Sequence, residues 1–246
     1  QARATKEDRM KAMCIAALAL GCAHPVTMTP TLSRADVVIA ASKLASGGSA
    51  WDVPEGCVET GTHADGAITY KTWFNLRRYG MRVESVRAGS KRVMGFNGEA
   101  SWMLDPAGKV ALRDDAASMK EAINTAYLSN NSFFFPDRFP ADFKYVREAV
   151  EGATVFDVLE VTPKGGRPME LWFDRRTHLL GRVVDTHGTP PMTVSAGDFR
   201  RIHDMAVAFS LDVSTPDGKI VDRGRVTAIS CGPIDENLFD PPVLGD

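Results

Sequence analysis

The sequence predicts a mainly β protein (α+β), in which an open antiparallel β half-barrel of about ten or eleven strands packs on two or three helices. From residue 56 onward, apolar and polar residues alternate with a period of two through most of the chain. Turn signals such as Asp65-Gly66 and Asn97-Gly98 separate the alternating segments, as in hairpins. Strands and helices do not alternate as in βαβ units, and no internal repeat is visible.

Length and composition bound the possibilities further. The 246 residues are 44% apolar and 24% charged, which is typical of a globular chain that buries a substantial core. We find no low-complexity linker after residue 50, so a single folded domain is expected. The formal net charge of −2 gives no reason to expect a nucleic-acid partner.

The N-terminal segment has the pattern of a secretory signal peptide. Met10-Lys11 precedes an apolar run over residues 12–20, and the small residues Gly21 and Ala23 follow. The run is too short for a transmembrane helix, which needs about 20 apolar residues. We therefore expect a signal peptide ending at residue 23, with residues 1–9 as an upstream extension, and export to the periplasm. The alternative is a lipid anchor at Cys22, although Ala19 stands where lipoprotein signals favour leucine.

Two helices are expected in the exported part. Ser33 and Asp36 form an N-cap pattern for a helix to Leu44, with Val37, Val38, Ala41 and Leu44 on one face. Asp114 or Asp115 caps a second helix to about Ser129, whose apolar positions follow helical spacing. The run Phe133 to Phe135 that follows is expected to enter a core or a cavity mouth, because three adjacent aromatic side chains cannot share one face.

The strands are expected on either side of the second helix. The first begins near Cys57, and the segments that follow it are 68–76, 81–87, 91–96, 100–104 and 109–112. After the helix, the expected strands are 153–162, 169–174, 179–185, 192–196, 207–213 and 219–230.

Two cysteines remain after removal of the signal peptide. Cys57 lies near the start of the first predicted strand and Cys231 lies in the last. A disulfide between them is one possibility, because an exported protein meets an oxidising compartment. Two separate buried thiols are the other, since free cysteine packs as a small hydrophobic residue.

A search for catalytic motifs gives no site. The segment Asp185-Thr-His-Gly188 resembles the Asp-Thr-Gly of aspartic proteases, but His187 interrupts it, so a turn at a strand end is the simpler interpretation. No nucleophile elbow, zinc-protease motif or phosphate loop occurs, and the five histidines show no metal-ligand spacing. We therefore expect a protein that is not an enzyme and has no metal or cofactor.

Basic residues cluster on consecutive hairpins at Arg77, Arg78, Arg82, Arg87, Lys91 and Arg92. The solvated face of a sheet explains them, with Glu84 and Glu99 as partners. Attraction to anionic lipid headgroups or an acidic partner is the alternative.

Large apolar side chains on several strands and on the second helix are the candidates for a ligand cavity. An incomplete barrel leaves room for an acyl chain, whereas a closed one fills its interior with these side chains. The candidates are Tyr70, Phe74, Phe96, Trp102, Met119, Ile123, Tyr127, Leu171, Phe173, Phe209 and Leu211.

Several short motifs resemble the outer-membrane lipoprotein carrier (LolA/LolB-like) superfamily. They are Ala45-Ser-Gly-Gly48, Ala50-Trp-Asp52, Gly95-Phe-Asn-Gly98 with Trp102, Asp105-Pro-Ala-Gly108, Glu170-Leu-Trp-Phe-Asp174 with Thr177 and Leu180, Ser195 to Arg201, and Asn237-Leu-Phe-Asp-Pro-Pro242. Within that superfamily, the chain more closely resembles the LolA-like region that precedes retropepsin-like aspartic protease domains in some secreted proteobacterial proteins. The resemblance covers residues 34–242, and its motifs are structural rather than catalytic.

The resemblance implies an eleven-strand half-barrel over helices, with an apolar cavity for lipoprotein acyl chains or other lipids. The lid arginine of the carriers matches no position unambiguously. A periplasmic lipid or lipoprotein carrier is thus the first hypothesis, with acyl chains, the membrane surface and outer-membrane machinery as partners. The second is a non-catalytic accessory domain of a secreted aspartic protease.

Overall fold

The sheet consists of two antiparallel meanders joined along one seam. The computed structural model describes residues 32–105 and 107–242 and contains 13 strands in that part of the chain. The first meander comprises β1 (Gly56–His63), β2 (Ile68–Asn75), β3 (Met81–Arg87), β4 (Ser90–Phe96), β5 (Ser101–Leu104) and β6 (Val110–Leu112). The second comprises β7 (Ala141–Glu151), β8 (Thr154–Pro163), β9 (Met169–Asp174), β10 (Leu180–Asp185), β11 (Met192–Ile202), β12 (Met205–Ser214) and β13 (Ile220–Gly232).

The strand order is β6-β5-β4-β3-β2-β1-β13-β12-β11-β10-β9-β8-β7. Every neighbouring pair except β1 and β13 is consecutive in the chain, as short hairpin turns require. The β1–β13 pair is the seam, and β6 and β7 are the two free edges of an open sheet. The expectation of a mainly β, open antiparallel fold on helices is confirmed.

The sheet is strongly curved, because distant strands contribute to one core. Phe74 on β2 and Leu159 on β8 belong to the same cluster of buried residues. Seven strand spacings separate β2 from β8 in the order, which is about 34 Å in a flat sheet. The core lies on the inner face of the curve, where the helices pack.

The first helix, α1 (Arg34–Ala45), begins with the expected capping box between Ser33 and Asp36. Its buried positions are Ala35 and Ser42, with Val38 and Ile39 partly buried against the core. Val37 is 52% exposed and Leu44 is 77% exposed, so the expectation of one apolar face through these two residues is wrong. Small residues lie at the interface instead and let the helix approach the sheet closely.

The second helix, α2 (Ala116–Ser129), has Asp115 as its N-cap and ends where expected. Single-turn 3-10 helices cover Gly48–Asp52, Ala64–Gly66, Ser132–Phe134 and Glu236–Phe239. Phe133, Phe134 and Phe135 are all buried in the main core, which confirms the expectation that they turn inward. Asn124 on α2 fixes the helix to the β8–β9 turn through two 2.9 Å hydrogen bonds with the Arg167 backbone.

The 13 strands exceed the expected total of about ten or eleven. Twelve of them correspond to individually expected segments, and β7 is the element that the sequence did not predict. It is an edge strand with most of its side chains half-buried or exposed, so alternation between buried and exposed positions is weak. Charged residues such as Lys144, Arg147 and Glu148 suit an edge strand, because they discourage pairing with another chain. The expected signal peptide and the lipid-anchor alternative at Cys22 lie outside the described residues.

Candidate functional site

A cavity of about 600 Å³ lies between the inner face of the sheet and the C-terminal end of α2. Its floor crosses the seam, because β1, β2 and β3 line one side while β10 to β13 line the other. Thr125, Leu128, Ser129 and Asn131 cover it from the end of α2 and the residues that follow. The lining residues of β1 run from Cys57 to His63, a length of about 20 Å along a strand.

Most of the lining is apolar and comes from both meanders. These side chains are Ile68, Phe74, Met81, Val83, Leu180, Val183, Val194, Ala196, Phe199, Val207, Leu211 and Ile229. Ligand cavities of about 300–1,000 Å³ with a mainly apolar lining suit small organic molecules. The arrangement can therefore hold an aliphatic group.

Four polar side chains gather at the end of the cavity beside the β1–β2 turn, and we call them the polar end: Glu59, His63, Tyr70 and Asp222. The Tyr70 hydroxyl donates a 2.7 Å hydrogen bond to Glu59 Oε1. Nδ1 of His63 lies 2.8 Å from Asp222 Oδ2, and the His63 and Tyr70 rings stack with centroids 4.7 Å apart.

Burial in this apolar surrounding raises the pKa of the Glu59 carboxyl, because the charged form loses hydration; the Tyr70 hydrogen bond and the nearby His63 act in the opposite direction. Burial also raises the pKa of Tyr70, and the adjacent Glu59 carboxylate raises it further. The Tyr70 hydroxyl therefore keeps its proton and remains a donor to Glu59.

Three of the predicted cavity residues, Tyr70, Phe74 and Leu211, line the cavity. The structure places the other eight elsewhere. Phe96, Met119 and Ile123 form a smaller cluster between α2 and the β3–β4 hairpin. Tyr127, Leu171 and Phe173 are fully buried in the main core, where their side chains fill space instead of bordering it.

Trp102 and Phe209 have other surroundings. Trp102 is paired with Gly95 on β4, and an added Cβ at Gly95 would collide with the indole ring. The indole Nε1 donates a 2.8 Å hydrogen bond to the Phe239 carbonyl oxygen, so the C-terminal segment covers this tryptophan. Phe209 is buried beneath Arg200, whose guanidinium carbon lies 4.4 Å from the ring centroid.

Of the polar end, only Tyr70 was predicted from the sequence; Glu59, His63 and Asp222 were not, nor were the small apolar residues of β10 to β12. A signal for part of it exists: if Cys57 faces inward, then Glu59 and His63 do so as well, because side chains two apart share a face. Charged residues at inward positions interrupt the alternation that was used to recognise strands. Asp222 has no such signal in isolation.

Cys57 and Cys231 are opposite each other in the β1–β13 register and form a disulfide in the structure, with their Cα atoms 4.0 Å apart. Cys57 is buried, and both residues border the cavity. The bond therefore closes a loop of sequence separation 174 directly at the seam.

The remaining motifs have structural surroundings. Asp185 is the last residue of β10, which agrees with the interpretation of this segment as a turn at a strand end. Its carboxylate pairs with Arg167. In the basic cluster, Arg77 and Arg78 donate hydrogen bonds to backbone carbonyls, and Glu84 pairs with both Arg82 and Lys91. Among the described residues, no group of three or more His, Cys, Asp or Glu side chains is arranged to hold a metal ion.

Within residues 32–105 and 107–242, no helix is long and apolar enough to cross a membrane.

Several solved structures have a fold similar to that of this chain. A LolA superfamily protein from Nitrosomonas europaea aligns over 85% of this chain and 98% of its own, with a TM-score of 0.55 and 11% identity. A DUF1329 family protein from Desulfovibrio piger aligns over the same shares with a TM-score of 0.54 and 12% identity. A putative outer membrane lipoprotein-sorting protein domain from Vibrio parahaemolyticus aligns over 82% and 94%, with a TM-score of 0.51 and 13% identity.

At these identities the similarity shows the fold alone, which is that of the LolA superfamily and DUF1329 proteins. No protein-family model matches the sequence, and no curated protein matches it.

Proposed function

We propose that this protein is a periplasmic carrier that holds the acyl chain of a lipid or lipoprotein in the cavity between sheet and α2. The observation that carries the proposal is the cavity itself, whose walls are mainly apolar and come from both meanders. The fold neighbours include a LolA superfamily protein and a putative lipoprotein-sorting domain, which supports the same class of ligand. The signal-peptide pattern supports export to the periplasm.

The dimensions suit one extended acyl chain. The lining of β1 extends over about 20 Å. One leaflet of a bilayer holds its acyl chains in about 15 Å, half of the hydrocarbon core. Each buried methylene contributes about 0.8 kcal/mol, so an apolar chain needs no charged residue along its length to bind.

Carriage is favoured over the alternative of an accessory domain for an aspartic protease. A role in folding alone does not require an internal apolar cavity, whereas carriage of an acyl chain does. Such a carrier would exchange its ligand with the membrane surface or with outer-membrane machinery. We assign this function to one domain, residues 34–242.

Two measurements test the proposal. Native mass spectrometry of protein purified from the periplasm of expressing cells should show a lipid adduct that is lost on delipidation. The delipidated protein should then bind a fluorescent C16 fatty-acyl probe with saturation at one site.

A cavity-filling variant makes the test specific. Ala196→Trp places an indole in the cavity, while Ala111→Trp places one on the exposed edge strand β6 as the matched control. If the new side chain excludes three methylenes, the probe loses about 2.4 kcal/mol, or roughly 50-fold in affinity. Equal probe affinity in the two variants, or no probe binding by the delipidated parent protein, would contradict the proposal.

A further inference from the structure

The polar end of the cavity is a constructed feature of the sheet. Two glycines make room for its two rings. An added Cβ at Gly61 would lie 2.5 Å from the Tyr70 hydroxyl, and one at Gly224 would lie 3.1 Å from the His63 ring. The glycines let Tyr70 and His63 lie flat across β1 and β13, which brings the Tyr70 hydroxyl to Glu59 and His63 to Asp222.

A β-bulge in β13 determines which charges face the cavity. Thr60 pairs with Ala228 but Gly61 pairs with Val226, so Thr227 is the extra residue. On the C-terminal side of Thr227, Ile229 faces inward opposite Glu59, and Cys231 faces inward opposite Cys57. A one-residue shift exchanges the two faces of a strand. On the N-terminal side of Thr227, the inward positions are Val226, Gly224 and Asp222. Arg225 and Arg223 face outward there, and their side chains are each 45% exposed.

The bulge thus gives the cavity an acidic end where an uninterrupted strand would give a basic one. Of the cavity-lining residues, the charged or titratable ones near this end are Glu59 and His63 on β1, Tyr70 on β2 and Asp222 on β13. Arg182, the lining cation, is on β10 with three strands between it and β1, and it pairs with Glu151. Among the described residues, Tyr70 is the only hydrogen-bond donor to the Glu59 carboxyl, and Glu59 lines the cavity.

We propose that the polar end receives the head of an acyl ligand that donates N–H hydrogen bonds to Glu59, as an ammonium or an amide does, and that it discriminates against carboxylate and phosphate heads. This inference rests on the proposed carrier function. An anionic head would face the carboxylates of Glu59 and Asp222, which lie at the same end of the cavity, and like charges repel. An N–H donor instead completes the hydrogen bonding of Glu59, and the stacked His63 and Tyr70 rings form an aromatic wall beside it.

A competition experiment with three ligands of one chain length tests the inference. Hexadecylammonium, palmitamide and palmitate displace the fluorescent acyl probe from the delipidated full chain at pH 7.5. One lost hydrogen bond to a charged group corresponds to about tenfold in affinity. We therefore expect the ammonium and the amide each to bind at least about tenfold more tightly than palmitate.

The variant Glu59→Gln removes the charge and keeps the shape of the side chain. Its expected effect is about a tenfold loss for hexadecylammonium, a smaller loss for palmitamide, and a gain for palmitate. Glu99→Gln removes the same charge from an exposed turn residue and should leave all three affinities unchanged. The ammonium and amide arms distinguish a charge-based preference from one based on hydrogen bonding, and either preference supports the inference.

Other outcomes separate the two proposals. Equal affinities for the three heads in the parent protein, or a Glu59→Gln variant indistinguishable from the parent, would overturn the headgroup inference and leave acyl carriage standing. Displacement of the probe by none of the three ligands would overturn acyl carriage itself. Circular dichroism of each variant establishes that the fold is intact before the affinities are compared.

Discussion

Breaking the Cys57–Cys231 disulfide should cost a large part of the stability of the domain. The bond joins the first and last strands of the sheet, which are the only neighbouring pair in the described sheet that no short turn connects. Without the bond, pairing β1 with β13 requires closure of a loop with a sequence separation of 174. The chain-entropy relation gives about 5 kcal/mol for a closed loop of this length.

The predicted loss is large compared with a total stability of about 5–15 kcal/mol for typical native proteins. At roughly 2–4 °C per kcal/mol for a domain of this size, the midpoint of thermal unfolding should fall by roughly 10–20 °C. Urea unfolding of oxidised and reduced parent protein measures the crosslink alone, because the two samples contain the same side chains. The double variant Cys57→Ala/Cys231→Ala also removes the two sulfur atoms, so any further loss of unfolding free energy measures their packing.

The reasoning would be refuted by a reduced parent protein whose free energy of unfolding stays within about 1 kcal/mol of the oxidised form. Such a result would mean that the seam hydrogen bonds and the core hold β1 against β13 without help. A loss in the alanine variant that is absent on reduction would assign the effect to packing instead of chain entropy.

Three further predictions concern the cavity wall and the helix above it. Gly61→Ala should cost about 1–3 kcal/mol, because its new Cβ would overlap both the Arg225 carbonyl oxygen and the Tyr70 hydroxyl, whereas Gly232→Ala, with no atom near its added Cβ, should be neutral by urea unfolding. Glu59→Gln should stabilise the protein at neutral pH, because it removes a charge that is costly to bury. Burial raises the pKa of this carboxyl in the folded state. The contribution of Glu59 to stability is therefore present below its unfolded-state pKa and is lost as the pH rises through its folded-state pKa. The gain over the parent in urea unfolding should therefore vanish in acid, and a gain that is independent of pH would argue against the buried charge. Asn124→Ala should cost about 2–3 kcal/mol, because it leaves the backbone N–H and carbonyl of Arg167 without their partner, while the exposed Lys120→Ala on the same helix should change the unfolding free energy by less than about 0.5 kcal/mol.

Local signals in the sequence predicted most of the elements of this fold. The capping box at Ser33 and Asp36, the Asp115 cap and the turn glycines act within a few residues, so they can be recognised without knowing the tertiary structure. The seam is different, because β1 and β13 are the first and last strands in chain order and pair only through the tertiary structure. Nothing within either strand specifies the other, and for this reason the sequence left the state of Cys57 and Cys231 open.

The candidate site was harder to predict than the fold, since it depends on the phase of each strand relative to its neighbours. Large size was the criterion for choosing cavity residues, but Phe96, Leu171 and Phe173 are large because they fill the core. The residues that border the open space are smaller, such as Ala196 and Val207. A void is bounded by the side chains that do not reach across it, so a search for bulky residues finds the packed core first.

The bulge at Thr227 shows how one inserted residue can couple the strand pairing to the chemistry of the cavity. The inward-facing positions of β13 have even numbers before Thr227 (Asp222, Gly224 and Val226) and odd numbers after it (Ile229 and Cys231). That three-residue step between two apolar positions is visible in the sequence and marks the bulge. Because the shift occurs at the seam, it keeps the cysteines opposed on one side of Thr227 while turning Asp222 inward and Arg223 and Arg225 outward on the other. The β1–β13 pair thus carries the disulfide and also places the carboxylates at the polar end. A change of register between these strands would therefore alter both the stability of the domain and the proposed headgroup preference.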